Sequence, residues 1–295
     1  MLRRPRVGLT LAAALVLGLN GSAAPAPPAG FLSAVAVDQP DRRFGGFSAI
    51  LVSADGAGFV ALSDRATLME GVLLRDPSGL LVAVRPGALR RLTGPDGARL
   101  HHRRADSEGL ARAPDGTTYA AFELDTRVAR LDPATGRTTD LPHNPAFDVL
   151  PDNGALEALA VDAEGTLYAV PERTTGPDIP VYRFRDGAWI DPLTLPRLGT
   201  FLPVAADIGP DGRFYLLERR FHGLAGFSSR LRRFALTPAG FGPGATLLQT
   251  PPGLHDNLEG LAVWRSPGGL LASMIADDNF NPLQHTEIVE YRLPD

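Results

Sequence analysis

The 295-residue chain has no cysteine and no lysine. The first absence excludes disulfides, thiol nucleophiles, thiolate zinc sites and a lipoprotein anchor. The second excludes Schiff-base chemistry and makes all 29 basic side chains arginines. Any bound anion must then be held by guanidinium groups or backbone amides. A basic tail is also missing, and the formal charge is −4, so nucleic acid is not an expected partner. No stretch has the periodicity of an amphipathic helix, and no P-loop, dinucleotide fingerprint or H-E-x-x-H spacing occurs. The sequence around Ser48 lacks the second glycine of a nucleophile elbow and reads as a pore-lining hydroxyl.

Glycine (32) and proline (27) are plentiful, which suits a β protein with many turns. Arg3, Arg4 and Arg6 precede an apolar run over residues 7–19 and then small residues. That order predicts a signal peptide over residues 1–24 and a periplasmic or secreted protein. The run is too short to span a bilayer comfortably, and no second one follows, so no membrane association is expected after cleavage. Losing three arginines takes the formal charge from −4 to −7. Residues 25–30 would form a short, stiff leader, and residues 31–295 the folded domain, expected as a monomer.

Within that domain one design recurs: a strand that opens with an acid, a glycine turn, then a strand that ends in acids. The copies start near Ser48, Glu108, Glu157, Asp207 and Glu259, a period of about 50 residues. Four short strands fill such a period, which predicts an all-β fold and a single β-propeller. Five copies favour five blades, although the 60 residues between the first two copies leave six open. The last copy has room for only about one more strand. The lone strand over residues 31–38 is therefore expected to close the ring by pairing with the C-terminal blade. Gly109, Ala111, Ala158, Ala160, Gly260 and Ala262 keep one face of each first strand thin, as an innermost strand requires.

Hairpin geometry brings first-strand starts and second-strand ends to one edge. Glu108, Glu157, Asp207 and Glu259 should then share a face with Asp64, Glu123, Glu172, Glu218 and Asp277. Two carboxylates about 6 Å apart repel by roughly 3 kcal/mol at an effective dielectric near 20, so something must compensate. Arg65, Arg173 and Arg219 directly follow second-strand acids and could form salt bridges with them. For Glu108, Glu157 and Glu259, two readings remain: convergence on a hard, oxygen-liganded cation such as Ca²⁺, or acceptance of backbone amides at blade junctions. Asp64, Asp207 and Asp277 complete the candidate metal set.

Six segments occur in a characteristic order: Phe44-Gly45-Gly46-Phe47-Ser48, Ser63-Asp64-Arg65, Asp106-Ser107-Glu108-Gly109-Leu110, Leu217-Glu218-Arg219-Arg220-Phe221, Asn257-Leu258-Glu259-Gly260-Leu261 and Asp277-Asp278-Asn279-Phe280. As a set they resemble the phytase-like domain family, "esterase-like activity of phytase", over roughly residues 31–293. The resemblance implies an exported β-propeller that hydrolyses phosphate or carboxylic esters, and propeller phytases bind several Ca²⁺ ions. Those phytases hold phosphate with lysines as well as arginines, and this chain departs from them in having no lysine. The expected function is a Ca²⁺-dependent ester or phosphoester hydrolase with Glu218, Arg219 and Arg220 as catalytic candidates. One carboxylate would serve as general base, and Arg219 or Arg220 would steady an anionic group. The alternatives are a non-catalytic propeller that binds a metal or ligand, and a lactonase of the gluconolactonase type.

Overall fold

A computed structural model describes residues 26–294. The expected signal segment over residues 1–24 lies outside the described residues. Among the described residues, twenty-one strands and three single-turn 3₁₀ segments make up the regular structure. The chain opens with β1 (Phe31–Ala36). Blade one follows as β2 (Phe47–Val52), β3 (Gly58–Ser63), β4 (Thr67–Arg75) and β5 (Leu81–Arg91). Blade two is β6 (Ser107–Arg112), β7 (Thr118–Phe122), β8 (Arg127–Asp132) and β9 (Arg137–Asp140). Blade three is β10 (Leu156–Val161), β11 (Leu167–Pro171), β12 (Asp178–Arg185) and β13 (Ala188–Pro196). Blade four has β14 (Leu202–Ile208), β15 (Arg213–Phe221) and β16 (Phe227–Thr237), with the short β17 (Gly240–Phe241) and β18 (Ala245–Gln249) both paired to β16. Blade five is β19 (Asn257–Ser266), β20 (Gly269–Asp277) and β21 (Glu287–Arg292), completed by β1.

The ring therefore has five blades, closed as the short final repeat requires. β1 runs antiparallel to β21, from Phe31 opposite Tyr291 to Ala36 opposite Glu287. The long interval after the first copy is taken up by two long outer strands, β4 with 9 residues and β5 with 11, rather than by a sixth blade.

The interior is divided into five apolar clusters, one at each junction between neighbouring blades. Phe47, Phe59 and Met69 of blade one meet Ile275 and Ile288 of blade five. Leu62, Leu68 and Leu92 meet Leu110 and Phe122 across the next junction. The other three junctions follow the same plan. The small residues of the inner strands are what let blades approach this closely. A Cβ on Gly109 would lie 2.9 Å from the Glu157 carbonyl oxygen of blade three, and one on Gly260 would lie 2.8 Å from the Ile50 amide nitrogen of blade one. Both glycines are pinned by the backbone of the next blade, so side chains there would force the inner strands apart.

Candidate functional site

Each inner strand carries a β-bulge one turn of the pleat from its start. The register slips between Phe47 and Ala49, Ser107 and Gly109, Leu156 and Ala158, Pro203 and Ala205, and Leu258 and Gly260. The extra residues are Ser48, Glu108, Glu157, Val204 and Glu259. A bulge leaves its extra residue out of the ladder and re-aims the side chain, here at the same level in every blade. Three glutamates and a serine are thus presented around the start of the channel, with Val204 in the fourth place.

The register also fixes which second-strand residue stands beside each bulge. Asn257 pairs with Asp277, and Leu202 pairs with Arg219. Backbone hydrogen bonds place Asp64 opposite Gly46, Glu123 opposite Asp106 and Glu172 opposite Ala155. The second ring is Asp64, Glu123, Glu172, Arg219 and Asp277. Asp106 adds one more acid, so eight carboxylates crowd this mouth.

Two of the sequence assignments in copy four are corrected by that register. Asp207 is not at the start of its strand. It is the sixth residue of β14, where it accepts hydrogen bonds from the Ile208 amide (2.8 Å) and from the Val263 amide of blade five (2.6 Å). Glu218 is not at the mouth either. It is fully buried and accepts from Arg230 Nε (2.7 Å) and Arg232 Nη1 (3.3 Å). Those arginines also donate to the Leu198 and Pro196 carbonyls of blade three, so this is an ion cluster inside a blade junction. Strand alternation turns Arg219 to the opposite face from Glu218 and so to the mouth. Arg220, one residue further on, is exposed.

Arg219 is the cation that links three blades. It donates to Asn257 Oδ1 (2.8 Å), to Glu259 and to Glu172 Oε1 (3.1 Å). Burial works against its charge, but Glu259, Glu157 and Glu172 outweigh that and raise its pKa. Of the arginines expected to neutralise second-strand acids, Arg173 pairs with Glu172 at 2.9 Å. Arg65 instead lies over the Phe280 ring, 3.2 Å from its centroid. Gly46 (φ +66°) stands against both Phe280 and Asp64, and its amide donates to Asp278 Oδ1 (2.9 Å). The Gly-Gly, Asp-Arg and Asp-Asp-Asn-Phe segments of the sequence thus form one knot between blades one and five.

Elsewhere the acids outnumber their partners. Asp106, Glu108 and Glu123 each place a carboxylate oxygen within 4.8 Å of the others. Glu123 also accepts from the Gly154 and Ala155 amides, so the amide-acceptor role at a blade junction falls to this second-ring acid. Among the described residues no backbone amide donates to Glu108, Glu157 or Glu259. Burial pushes Glu108 well above the ordinary carboxylate range, with Glu157 and Glu259 adding repulsion. Glu157 is raised well above it by burial and by Glu172, against the pull of Arg219. Glu259 is raised by burial despite Arg219. Burial lifts Asp64 to about 7, Asp106 to about 6 and Asp277 to about 8. The Asn279 amide (2.7 Å) does not offset this at Asp277. Asp64 Oδ1 and Ser48 Oγ are buried without a hydrogen-bond partner among the described residues. Just below the mouth the channel shrinks to a space of about 10 Å³ between Ser48, Glu108, Glu157 and the inner-strand backbones, about enough for one water.

With this geometry in hand, residues 42–280 match the phytase-like family described as "esterase-like activity of phytase". The chain belongs to that family. A search of curated proteins returned no match. Solved structures similar to this phytase-like propeller include a luciferin-regenerating enzyme, 9% identical, with 88% of this chain and 95% of that one aligned at a TM-score of 0.50. The PQQ-bound aldose sugar dehydrogenase of Streptomyces coelicolor is 14% identical over 90% and 99% of the two chains, with a TM-score of 0.43. The virginiamycin B lyase of Staphylococcus aureus is 12% identical over 89% and 100%, with a TM-score of 0.45. At these identities the likeness concerns the fold.

The sequence had singled out Glu108, Glu157, Glu259, Asp64 and Asp277, all of which border the mouth. Asp106 was missed as a candidate. Its only signal was its place one residue before the inner strand, where Asn257 stands in blade five.

Proposed function

We propose that this phytase-like propeller hydrolyses phosphate or carboxylic esters at its acidic mouth with the help of a hard divalent cation, Ca²⁺ being the expected ion. The observation that carries this reading is the trio of half-buried Asp106 with buried Glu108 and Glu123, whose oxygens lie within 4.8 Å of one another. The donors are all carboxylate oxygens, which suits a hard cation, and the buried, unpartnered Asp64 Oδ1 of the neighbouring blade supports the same reading. Those three residues would hold the ion, with Asp64 and Asp277 within the same funnel. When bound, such a cation supplies Lewis-acid polarisation of an ester oxygen.

The protein's own groups supply the rest. Glu157, raised by burial and without a hydrogen-bond donor among the described residues, can hold or take up a proton beside the reacting oxygen. Arg219 is committed to Glu172, Asn257 and Glu259, so it orients the ring. Arg220, next to it, is exposed but by the same alternation lies on Glu218's side of β15, so it has no role at the mouth. Glu218 takes no part, because its carboxylate is enclosed by Arg230 and Arg232. Export belongs to the same proposal and rests on the basic, apolar and small-residue order of residues 1–24. Fractionation of cells expressing the full chain checks it, with cytoplasmic retention as the contrary result.

The test of activity is a panel of aryl esters, lactones and phosphate monoesters, assayed on chelator-stripped protein with and without Ca²⁺. The expected result is turnover that needs the cation and is lost in Glu108→Gln. A second reading, a propeller that binds a cation without catalysis, is favoured by the near-closed channel beneath the mouth. Cation binding with no turnover on any member of the panel would establish that reading instead.

A further inference from the structure

The far end of the channel has the opposite character. There the turns between first and second strands surround a funnel of about 1110 Å³ to which all five blades contribute. Arg112 of β6, Arg183 and Arg185 of β12 and Arg265 of β19 line it, facing two lining carboxylates, Asp162 and Glu164. Asp162 is already engaged. Its Oδ1 accepts from the Glu164 amide (3.1 Å) and the Thr166 amide (2.7 Å), and its Oδ2 from the Tyr168 hydroxyl (2.8 Å).

The guanidinium groups are far less committed. Among the described residues, Arg112, Arg183 and Arg265 have no carboxylate within 4.0 Å, and Arg185 has only Asp186, at 3.6 Å on an exposed turn. Arg183 is braced through Nε on the Asp191 carbonyl (2.8 Å) and Arg112 through Nε on Thr118 Oγ1 (3.3 Å). In each case the two terminal amino groups remain free to fork onto an oxyanion. Arg183 and Arg185 share one face of β12, roughly 7 Å apart along the strand. Between the charges the wall is apolar: Val52, Ile190, Ile208 and Val263. Ile190 is 40% exposed there.

We infer that this funnel is a second binding site, for a small polyanion bearing two or more carboxylate or phosphate groups on a partly apolar skeleton. Its volume fits one small molecule. The narrow channel and the acidic mouth beyond it keep such a ligand at this end, so the site is independent of the ester chemistry proposed above.

The experiment is calorimetric titration of inorganic pyrophosphate and, separately, of citrate into metal-free full-length protein. The comparison variants are the double variant Arg183→Gln/Arg265→Gln and, as control, Arg85→Gln on the outer strand β5. Binding by the wild type that weakens at least about tenfold, or about 1.4 kcal/mol, in the double variant but not in Arg85→Gln supports the site. Which anion binds then tells a phosphate ligand from a carboxylate one. No binding of either anion to the wild type at about 10 mM, or equal weakening in the control, overturns it. Matching melting curves for the three proteins confirm that the substitutions leave the fold intact.

Discussion

Glu218 and Arg219 are chain neighbours, yet one closes a blade junction and the other sits at the candidate site. Because strand alternation separates them, they make different predictions. Glu218→Ala leaves Arg230 and Arg232 buried without their carboxylate, and breaking a buried pair in this way costs about 3–5 kcal/mol. Urea denaturation measures that, and a loss below about 1 kcal/mol would contradict the assignment. The same pair shows where residue-scale reading of the sequence stops. Counting positions in copy four put Glu218 in the second ring because it is the acid at the strand's end. All five blades share the same bulge and register, and in copy four the residue that stands opposite Leu202, two before the bulge, is Arg219 and not an acid. A bulge has no compositional signature, and its consequence shows only once the strands are paired. Asp207 stands in the sequence-based metal set because copy four has no acid at its bulge. With valine in the bulge, the nearest acid was three residues away.

Strands and their junctions were more legible, since each repeat states its own geometry. Gly109 and Gly260 announce close approach of the next blade, and Asp55-Gly56, Asp115-Gly116 and Asp211-Gly212 announce turns, with all three glycines at positive φ. Ring closure followed from a strand missing at one end of the chain and a spare one at the other. That pairing is testable. Deleting residues 31–36 removes the outermost strand of blade five and exposes β21 as an unpaired edge. The expected outcome is aggregation and a melting temperature lower by about 10 °C or more, since a few kcal/mol moves a domain of this size by that order. A variant that stays monomeric with unchanged melting would refute closure by β1.

Across the whole molecule, charge is polarised along the channel, with eight carboxylates at one end and an arginine excess at the other. The acidic end sets the pH dependence. Asp106, Asp64 and Asp277 have folded-state pKa values of about 6, 7 and 8, raised mainly by burial above their usual range near 4. The folded protein therefore holds protons that the unfolded chain would release. Their stabilising contribution is fully present below about pH 4 and is lost as pH rises through about 6 to 8. In chelator, the melting temperature should fall between pH 5 and pH 8. Added Ca²⁺ should restore it more at pH 8 than at pH 5, because a bound cation takes over from the protons. Thermal melts at both pH values check this, and a melting temperature that rises across the window in chelator would be the wrong sign.

A divalent cation held at the mouth would be bound through Asp106, Glu108 and Glu123. Titration calorimetry of Ca²⁺ into chelator-stripped protein at pH 7.5 tests it most directly, with the wild type and Glu108→Gln side by side. Glu108→Gln keeps the size of the side chain and removes its charge. The expected result is saturable binding by the wild type and an affinity at least about tenfold weaker in the variant, a difference of about 1.4 kcal/mol. Absence of binding by the wild type, or equal affinities for the two proteins, would contradict it.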